Sequence, residues 1–190
     1  MKKTLLALVT AALVAAPAFA DDVQARLEAS RAASKQLLEV LRDEMQAAVQ
    51  SGGAKAGIEV CHEKAQALTR KISEERGWRV ARTSQKVRNE KNAPDAWEAK
   101  VLEEFAQRKA KGESLENMEF HAVVEEGGKK TFRYMKALPM GGVCSNCHGP
   151  VLKPDVVKKL DEDYPRDKAR GFQVGDLRGA LWVEVPGSDP

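Results

Sequence analysis

Apolar side chains recur every three or four positions between Asp21 and Gly77, a spacing typical of amphipathic helices. The first helix is predicted from Asp21 to about Gln50 and ends at the break Ser51-Gly52-Gly53. Its apolar face carries Leu27, Leu37, Leu38, Leu41 and Met45. The second helix is predicted to end at Gly77, because glycine suits the left-handed conformation that often follows a helix. Its apolar stripe carries Ile58, Cys61, Ala65, Leu68 and Ile72.

Alternation of apolar and polar side chains later in the chain predicts β-strands. The segment "WRVART" is a short predicted strand directly after Gly77, and "GALWVEV" is the last one. The runs "MEFHAVVE" and "KKTFRYMKAL" are separated by "EGG" and predict a hairpin. Helices followed by strands with a hairpin favour an α+β domain built around an antiparallel sheet.

A third helix is predicted between the first strand and the hairpin. Asn92 is its expected N-cap, Pro94 suits its first turn, and Asp95 interacts favourably with the helix dipole. Its buried side is expected to carry Trp97, Val101, Leu102 and Phe105. This helix would add a further apolar surface to the sheet.

The chain begins with the three parts of a secretory signal peptide. Two lysines precede an apolar stretch from Thr4 to Ala16, and Ala18-Phe19-Ala20 forms a small-x-small cleavage site. We therefore predict that residues 1–20 are a signal peptide and that residues 21–190 form a single domain exported to the periplasm. No later segment approaches the ~20 consecutive apolar residues of a membrane-spanning helix, so no membrane span is expected after cleavage.

Charge gives no indication of a nucleic-acid or lipid surface. Lys and Arg together number 31 against 28 Asp and Glu, and loss of Lys2 and Lys3 with the signal peptide leaves 29 basic side chains and a formal charge of +1. Runs such as "KISEERGWRVAR" mix both signs, which is typical of a solvated surface. No nucleic-acid partner is expected.

The segment "GGVCSNCHG" places Cys144 and Cys147 three positions apart, with His148 directly after them. C-x-x-C-H is the attachment signature of c-type haem, in which each thiol adds to a vinyl group and the histidine ligates the iron. Three alternatives for these cysteines are a redox disulfide, a zinc site completed by Cys61, and two cysteines without a special role. The export signal favours haem, because covalent attachment takes place outside the bacterial inner membrane. Adjacent Cys147 and His148 also fit one zinc tetrahedron poorly.

Cys61 is the odd cysteine of three. If Cys144 and Cys147 are bound to haem, Cys61 has no partner for an internal disulfide. It lies on the apolar stripe of its helix, whereas His62 lies about 100° around the helix axis. The residues alone leave three interpretations open: an inert core cysteine, an intermolecular disulfide, and a metal ligand, here the second axial ligand of the iron.

Other side chains could also supply that ligand. His121 alternates with polar positions of its strand, so a solvent-facing or hydrogen-bonded histidine is the simpler interpretation. Three methionines, Met118, Met135 and Met140, are more typical of core packing, and of these Met140 is close to the C-x-x-C-H segment in sequence.

Several segments together resemble a family of exported haem-binding proteins catalogued as domains of unknown function. They are "EVCHEKA", "RTSQKVRNEKNAPDAWE", "GGVCSNCHG" and "YPRDKARGFQVGDLRGALWV". The similarity extends from about Asp22 to Val185, essentially the whole chain after the signal peptide. One departure is Glu90 in "RNEKN", where the family pattern has a proline.

The resemblance implies a PAS-like fold, with long N-terminal helices and an antiparallel sheet packed around one covalently bound haem c. It implies that Cys144 and Cys147 are the thioether anchors, and that His148 and Cys61 are the axial iron ligands. Lys86 and Arg88, in the loop of the resemblance, are candidate partners of the haem propionates, with solvated loop charges as the alternative.

Such a site points to two functions, neither of them enzymatic. An anionic sulfur ligand stabilises ferric iron and lowers its reduction potential relative to His/Met ligation. Six-coordinate iron has no open position for substrate, and no other catalytic constellation is present in the sequence. We expect a redox or gas sensor that acts through a partner protein, with a diatomic gas such as NO or CO as candidate ligand. The alternative is a low-potential electron-transfer cytochrome with an unknown redox partner.

Overall fold

The computed structural model describes residues 16–187, so most of the predicted signal peptide lies outside the described residues. The helices are α1 (Ala16–Glu63), α2 (Ala65–Arg76), α3 (Ala96–Ala110), α4 (Ser145–His148) and α5 (Pro154–Asp163). The strands are β1 (Arg79–Thr83), β2 (Glu119–Glu126), β3 (Lys129–Pro139) and β4 (Leu177–Pro186). A short 3-10 helix spans Glu90–Asn92. None of the helices of residues 16–187 has the length and apolar character needed to cross a membrane.

The four strands form one antiparallel sheet in the order β1-β4-β3-β2, which confirms the predicted α+β class. The predicted hairpin is β2 and β3, joined at Gly127 and Gly128. Both glycines have positive φ, 60° and 77°, as a two-residue hairpin turn with the right-handed twist of the strands requires.

Both faces of the sheet are covered. Helices α1 and α2 pack on one face through Leu37 and Ile72, against Phe132, Tyr134 and other buried side chains of the strands. Helix α3 packs on the other face, where Val101, Leu102 and Phe105 are buried as predicted and Trp97 is only partly buried. Residues of β3 therefore contribute apolar side chains to the packing on both faces of the sheet.

Helix boundaries differ from the prediction in three places. The expected break at residues 51–53 is a kink within α1, where Gly53 alone leaves the helical region (φ 73°, ψ −167°). A second interruption, which was not predicted, occurs at Lys64 between α1 and α2. Asn92 does not cap α3: Asp95 does, since its side chain accepts a hydrogen bond from the Glu98 N–H.

The last part of α1 is packed away from the main sheet. Ile58 contacts Val156 and Leu160 of α5 and the nearby Tyr164, all of them buried. Half-buried Cys147 belongs to the same cluster. This packing brings the end of α1, which carries Cys61, to the C-x-x-C-H segment.

Candidate functional site

The C-x-x-C-H segment forms one tight helical turn. The N–H groups of Cys147 and His148 both donate to the carbonyl of Cys144, at 3.1 and 2.9 Å. Residues three positions apart lie on one side of such a turn, so Cys144 and Cys147 are neighbours on its surface. Cys61, Cys144 and Cys147 are all free thiols, and the redox-disulfide alternative is not seen.

His148 is oriented by a backbone carbonyl. Its Nδ1 lies 2.7 Å from the oxygen of Ala169. A carbonyl only accepts hydrogen bonds, so Nδ1 must carry the proton and Nε2 keeps a free lone pair. Burial, together with the charges of Arg178 and Arg88, holds the pKa of His148 well below its usual value. A neutral imidazole with an oriented Nε2 is the state that a metal-ligating histidine needs.

The segment that carries Ala169 is tied to α4 by further backbone bonds. The Phe172 N–H donates to the His148 carbonyl at 3.0 Å, and the Gly171 N–H donates to the Gly149 carbonyl at 3.1 Å. Buried Phe172 and Ala169 also pack with Met140 and half-buried Cys144. The geometry around His148 is therefore fixed by main-chain contacts on both sides.

Arg88 lies in the middle of the site. Its Nη2 donates to the carbonyls of Cys147 (2.5 Å) and Ala169 (3.2 Å), and forms an ion pair with Asp167 at 3.1 Å. Its Nη1 is 3.4 Å from Nε2 of His148. Its Nε is buried without a hydrogen-bond partner. Arg88 thus contacts the segments of both His148 and Asp167, and its Nε keeps hydrogen-bonding capacity for another group.

Lys86 occupies a different position. Its side chain is exposed, and its ammonium lies 5.4 Å from the ring centroid of Phe172. It lines a surface pocket of about 420 Å³ together with Lys109 and Asp176. Lys86 thus contacts Phe172, a buried residue of the cluster against which Cys144 packs.

Cys61 lies near the site at the end of α1 and is half-buried. Burial raises the pKa of its thiol, and the positive charges of Arg82, Arg88 and Arg178 oppose that rise. Its neighbour His62 is exposed and contacts Tyr164 edge-on, with ring centroids 5.1 Å apart. Cys61 is thus less exposed than His62, as their positions on the helix predict.

The other candidate iron ligands are distributed differently. His121 is exposed on the edge strand β2 and stacks on Phe132, with ring centroids 5.6 Å apart. Met118 and Met135 are buried in the core beneath α3, and Met140 packs beside Cys144. Within residues 16–187, no group of three or more His, Cys, Asp or Glu side chains is placed to hold a metal ion, so the arrangement that the zinc alternative requires is not seen.

Three charged residues of the site were missed by sequence reasoning. Arg82 and Arg178 come from the paired strands β1 and β4, and Asp167 is a buried carboxylate with 1% of its side chain exposed. Only the two arginines had a weak signal in the sequence. The arginines interrupt the apolar strand-like runs "WRVART" and "DLRGALWV", where an inward-facing charge needs a partner.

Comparisons with known proteins support a haem-protein relationship. The sequence pattern of a family described as Tll0287-like matches residues 19–186. The crystal structure of the cyanobacterial haem protein Tll0287 aligns with a TM-score of 0.59 and 25% sequence identity, covering 82% of this chain and 93% of that one. No curated protein sequence matches the chain significantly.

Proposed function

The chain belongs to the Tll0287-like family, and we propose that it is an exported haem-binding protein carrying one covalently attached haem c. In this proposal Cys144 and Cys147 form the thioether bonds, while His148 and Cys61 are the axial iron ligands. Cleavage after Ala20 would release the domain into the periplasm. The PAS-like description of the fold stays a prediction.

One observation carries the proposal. Nδ1 of His148 is bonded to the Ala169 carbonyl, so Nε2 is the nitrogen left to bind a metal, and the same helical turn carries two free thiols three positions apart. The surrounding groups suit a haem as well. Arg88 has a buried Nε without a partner, and the positive charges of Arg82 and Arg178 act on the Cys61 thiol. Carboxylates and a metal-bound thiolate are the anions that such guanidinium groups stabilise.

A bound c-type haem supplies a one-electron centre whose potential depends on its axial ligands. The chain's part is to hold His148 neutral and oriented, to bring Cys61 to the site, and to surround both with arginines. We propose a redox or gas sensor that acts through a partner protein, without enzymatic activity. Exchange of Cys61 for a gas such as NO or CO would be its signal. A low-potential electron carrier is the alternative.

Export into a bacterial strain with a working haem-attachment system tests the covalent site. The protein is expected to be red and to keep its haem after acid–acetone extraction. The matched control is the Cys144→Ala/Cys147→Ala double variant, which should lose haem in the same extraction. Metal analysis that finds zinc, no iron and no Soret absorption would contradict the proposal.

The Cys61 ligand is tested separately. Cys61→Ala should keep covalent haem, because both anchor cysteines are unchanged, and its ferric spectrum should move from low-spin thiolate to high-spin or bis-nitrogen form. The control is Met140→Leu, which changes the buried methionine beside Cys144 and should leave the spectrum unchanged. The reverse pattern would assign the ligand to Met140. Redox titration followed by absorption and electron spin resonance then separates the two functions, since a sensor changes ligand with oxidation state and a carrier does not.

A further inference from the structure

Three arginines from different segments converge beside Cys61. Arg82 lies on β1, two positions after Val80, so both side chains point to the sheet face covered by α1 and α2. Arg178 is the second residue of β4, and its Nη1 donates to Ser84 Oγ at 3.1 Å. That contact places it against the loop that leads to Arg88. All three guanidinium charges act on the Cys61 thiol.

The cluster has too few negative charges. Arg88 pairs with Asp167 at 3.1 Å, but Asp167 also pairs with Arg170 at 2.8 Å. Among the described side chains, no carboxylate forms an ion pair with Arg82 or Arg178. Burial, with repulsion from Arg88 and Arg82, lowers the pKa of Arg178 to about 10. The cluster therefore has the charge of an anion site and lacks the matching anions among the described side chains.

We propose that Arg82, Arg88 and Arg178 form the site that binds the two propionate carboxylates of haem. The inference rests on the proposed function. Guanidinium groups bind carboxylates through paired hydrogen bonds, and the partnerless Nε of Arg88 supplies one such donor. Three cations with one shared carboxylate match a dianionic ligand in charge. Lys86 is left out of this proposal because its side chain is exposed.

The test compares thermal midpoints of haem-free and haem-loaded protein. Haem-free protein is made in a strain without the attachment system. In that form, Arg82→Gln and Arg178→Gln should raise the midpoint, because each removes a repelled charge. In the haem-loaded form, the same variants should lower it, because each removes a propionate partner. Shifts of the same sign in both forms, or no shift in the loaded form, would overturn the proposal.

Arg79→Gln is the matched control. Arg79 lies on the same strand as Arg82, but its side chain is 69% exposed and pairs with Glu184. Its replacement should shift the two forms equally and only slightly. A sign reversal that also occurred with Arg79→Gln would show a general effect of surface charge, and the three-arginine site would be rejected.

A second arm identifies the anion. If the propionates are bound, the destabilising effect of Arg178→Gln on the haem-loaded form persists in a Cys61→Ala background. If it disappears there, the arginines compensate the Cys61 thiolate and the propionate assignment is wrong. Failure of the proposed function has its own signature, since wild-type protein would then carry no covalent haem at all. Loaded wild-type protein with unaffected arginine variants would refute this inference alone.

Discussion

Asp167 is the buried carboxylate that holds the site together, and its replacement by asparagine should destabilise the fold. Its Oδ2 pairs with Arg88 at 3.1 Å and with Arg170 at 2.8 Å, and its Oδ1 accepts a hydrogen bond from the Ala169 N–H at 2.8 Å. Ala169 in turn orients His148. One carboxylate thus fixes both the central cation and the segment that positions the imidazole.

The loss of stability in Asp167→Asn follows from the burial of Asp167 and of its ion-pair partner Arg88. Asparagine keeps an oxygen for the Ala169 N–H but removes the negative charge. The side chain of Arg88 is 10% exposed, so it would be left as a nearly buried cation without an ion pair. Breaking such a pair costs about 3–5 kcal/mol, and we expect the lower end, about 3 kcal/mol, because Arg170 keeps its ion pair with Asp161. For a protein of this size that corresponds to a fall of about 6–12 °C in Tm.

Urea unfolding of the haem-free protein measures this loss. The matched control is Asp161→Asn, because Asp161 pairs with the same Arg170 at 2.6 Å but its side chain is 62% exposed. Exposed pairs contribute about 0–1 kcal/mol, so the control should unfold almost as wild type does. Equal effects of the two replacements would refute the argument that burial makes Asp167 important.

The pH dependence of unfolding gives a second test of the Asp167→Asn variant. Burial by itself would raise the pKa of Asp167, but its bond to Arg170 and the charge of Arg88 outweigh burial and lower it. A lowered pKa in the folded state means that the charge stabilises the fold above the unfolded-state pKa, and that this stability is lost as the pH falls through the folded-state pKa. The difference between wild type and Asp167→Asn should therefore narrow as the pH falls below about 4. A constant difference across that range would contradict the electrostatic explanation.

Two further predictions concern the frame around the site. Phe105→Ala should lower the free energy of unfolding by about 3–5 kcal/mol, because this fully buried ring joins α3 to the sheet; a loss below about 1 kcal/mol in urea unfolding would show that the cavity collapses. Gly77→Ala should lower the free energy of unfolding by about 1 kcal/mol in the same assay, because Gly77 caps α2 at φ 66°, a conformation that disfavours alanine. No atom lies within 4 Å of an added Cβ, so the backbone conformation alone causes this loss. An unchanged midpoint would show that alanine accepts this conformation.

Local patterns were sufficient for most of the frame, because one-sided burial leaves a direct trace in the sequence. The apolar side of α3 is an example, since Val101, Leu102 and Phe105 repeat at helical spacing and are all buried. The ends of the elements depend on competing contacts. Asn92 has the right chemistry for a cap, but its Oδ1 accepts a hydrogen bond from Gln66 of α2 at 3.0 Å, which local sequence does not show.

The same distinction applies to the candidate site. Cys144, Cys147 and His148 are neighbours in the sequence, and their spacing alone suggested the chemistry. Arg82 and Arg178 are brought together by the pairing of β1 with β4, in which Thr83 is opposite Ala180. Which strands pair, and in which register, is not written in either strand alone. The excess of positive charge around Cys61 could therefore be recognised only once the pairing of β1 with β4 was known.

Glu90 shows how the loop before α3 keeps Arg88 in place at the position where the sequence resemblance leads us to expect a proline. Asn89 is extended (φ −99°, ψ 120°), a conformation that suits the residue before a proline, and position 90 opens a 3-10 turn, where proline fits well. The Asn89 side chain accepts a hydrogen bond from the Lys91 N–H at 3.0 Å and supplies the same restraint in this chain. Glu90 also pairs with Arg166, and the Lys168 N–H donates to the Val87 carbonyl at 2.9 Å. The loop is thereby joined to the segment of Asp167, so the acidic residue changes how the turn is stabilised and leaves Arg88 facing His148.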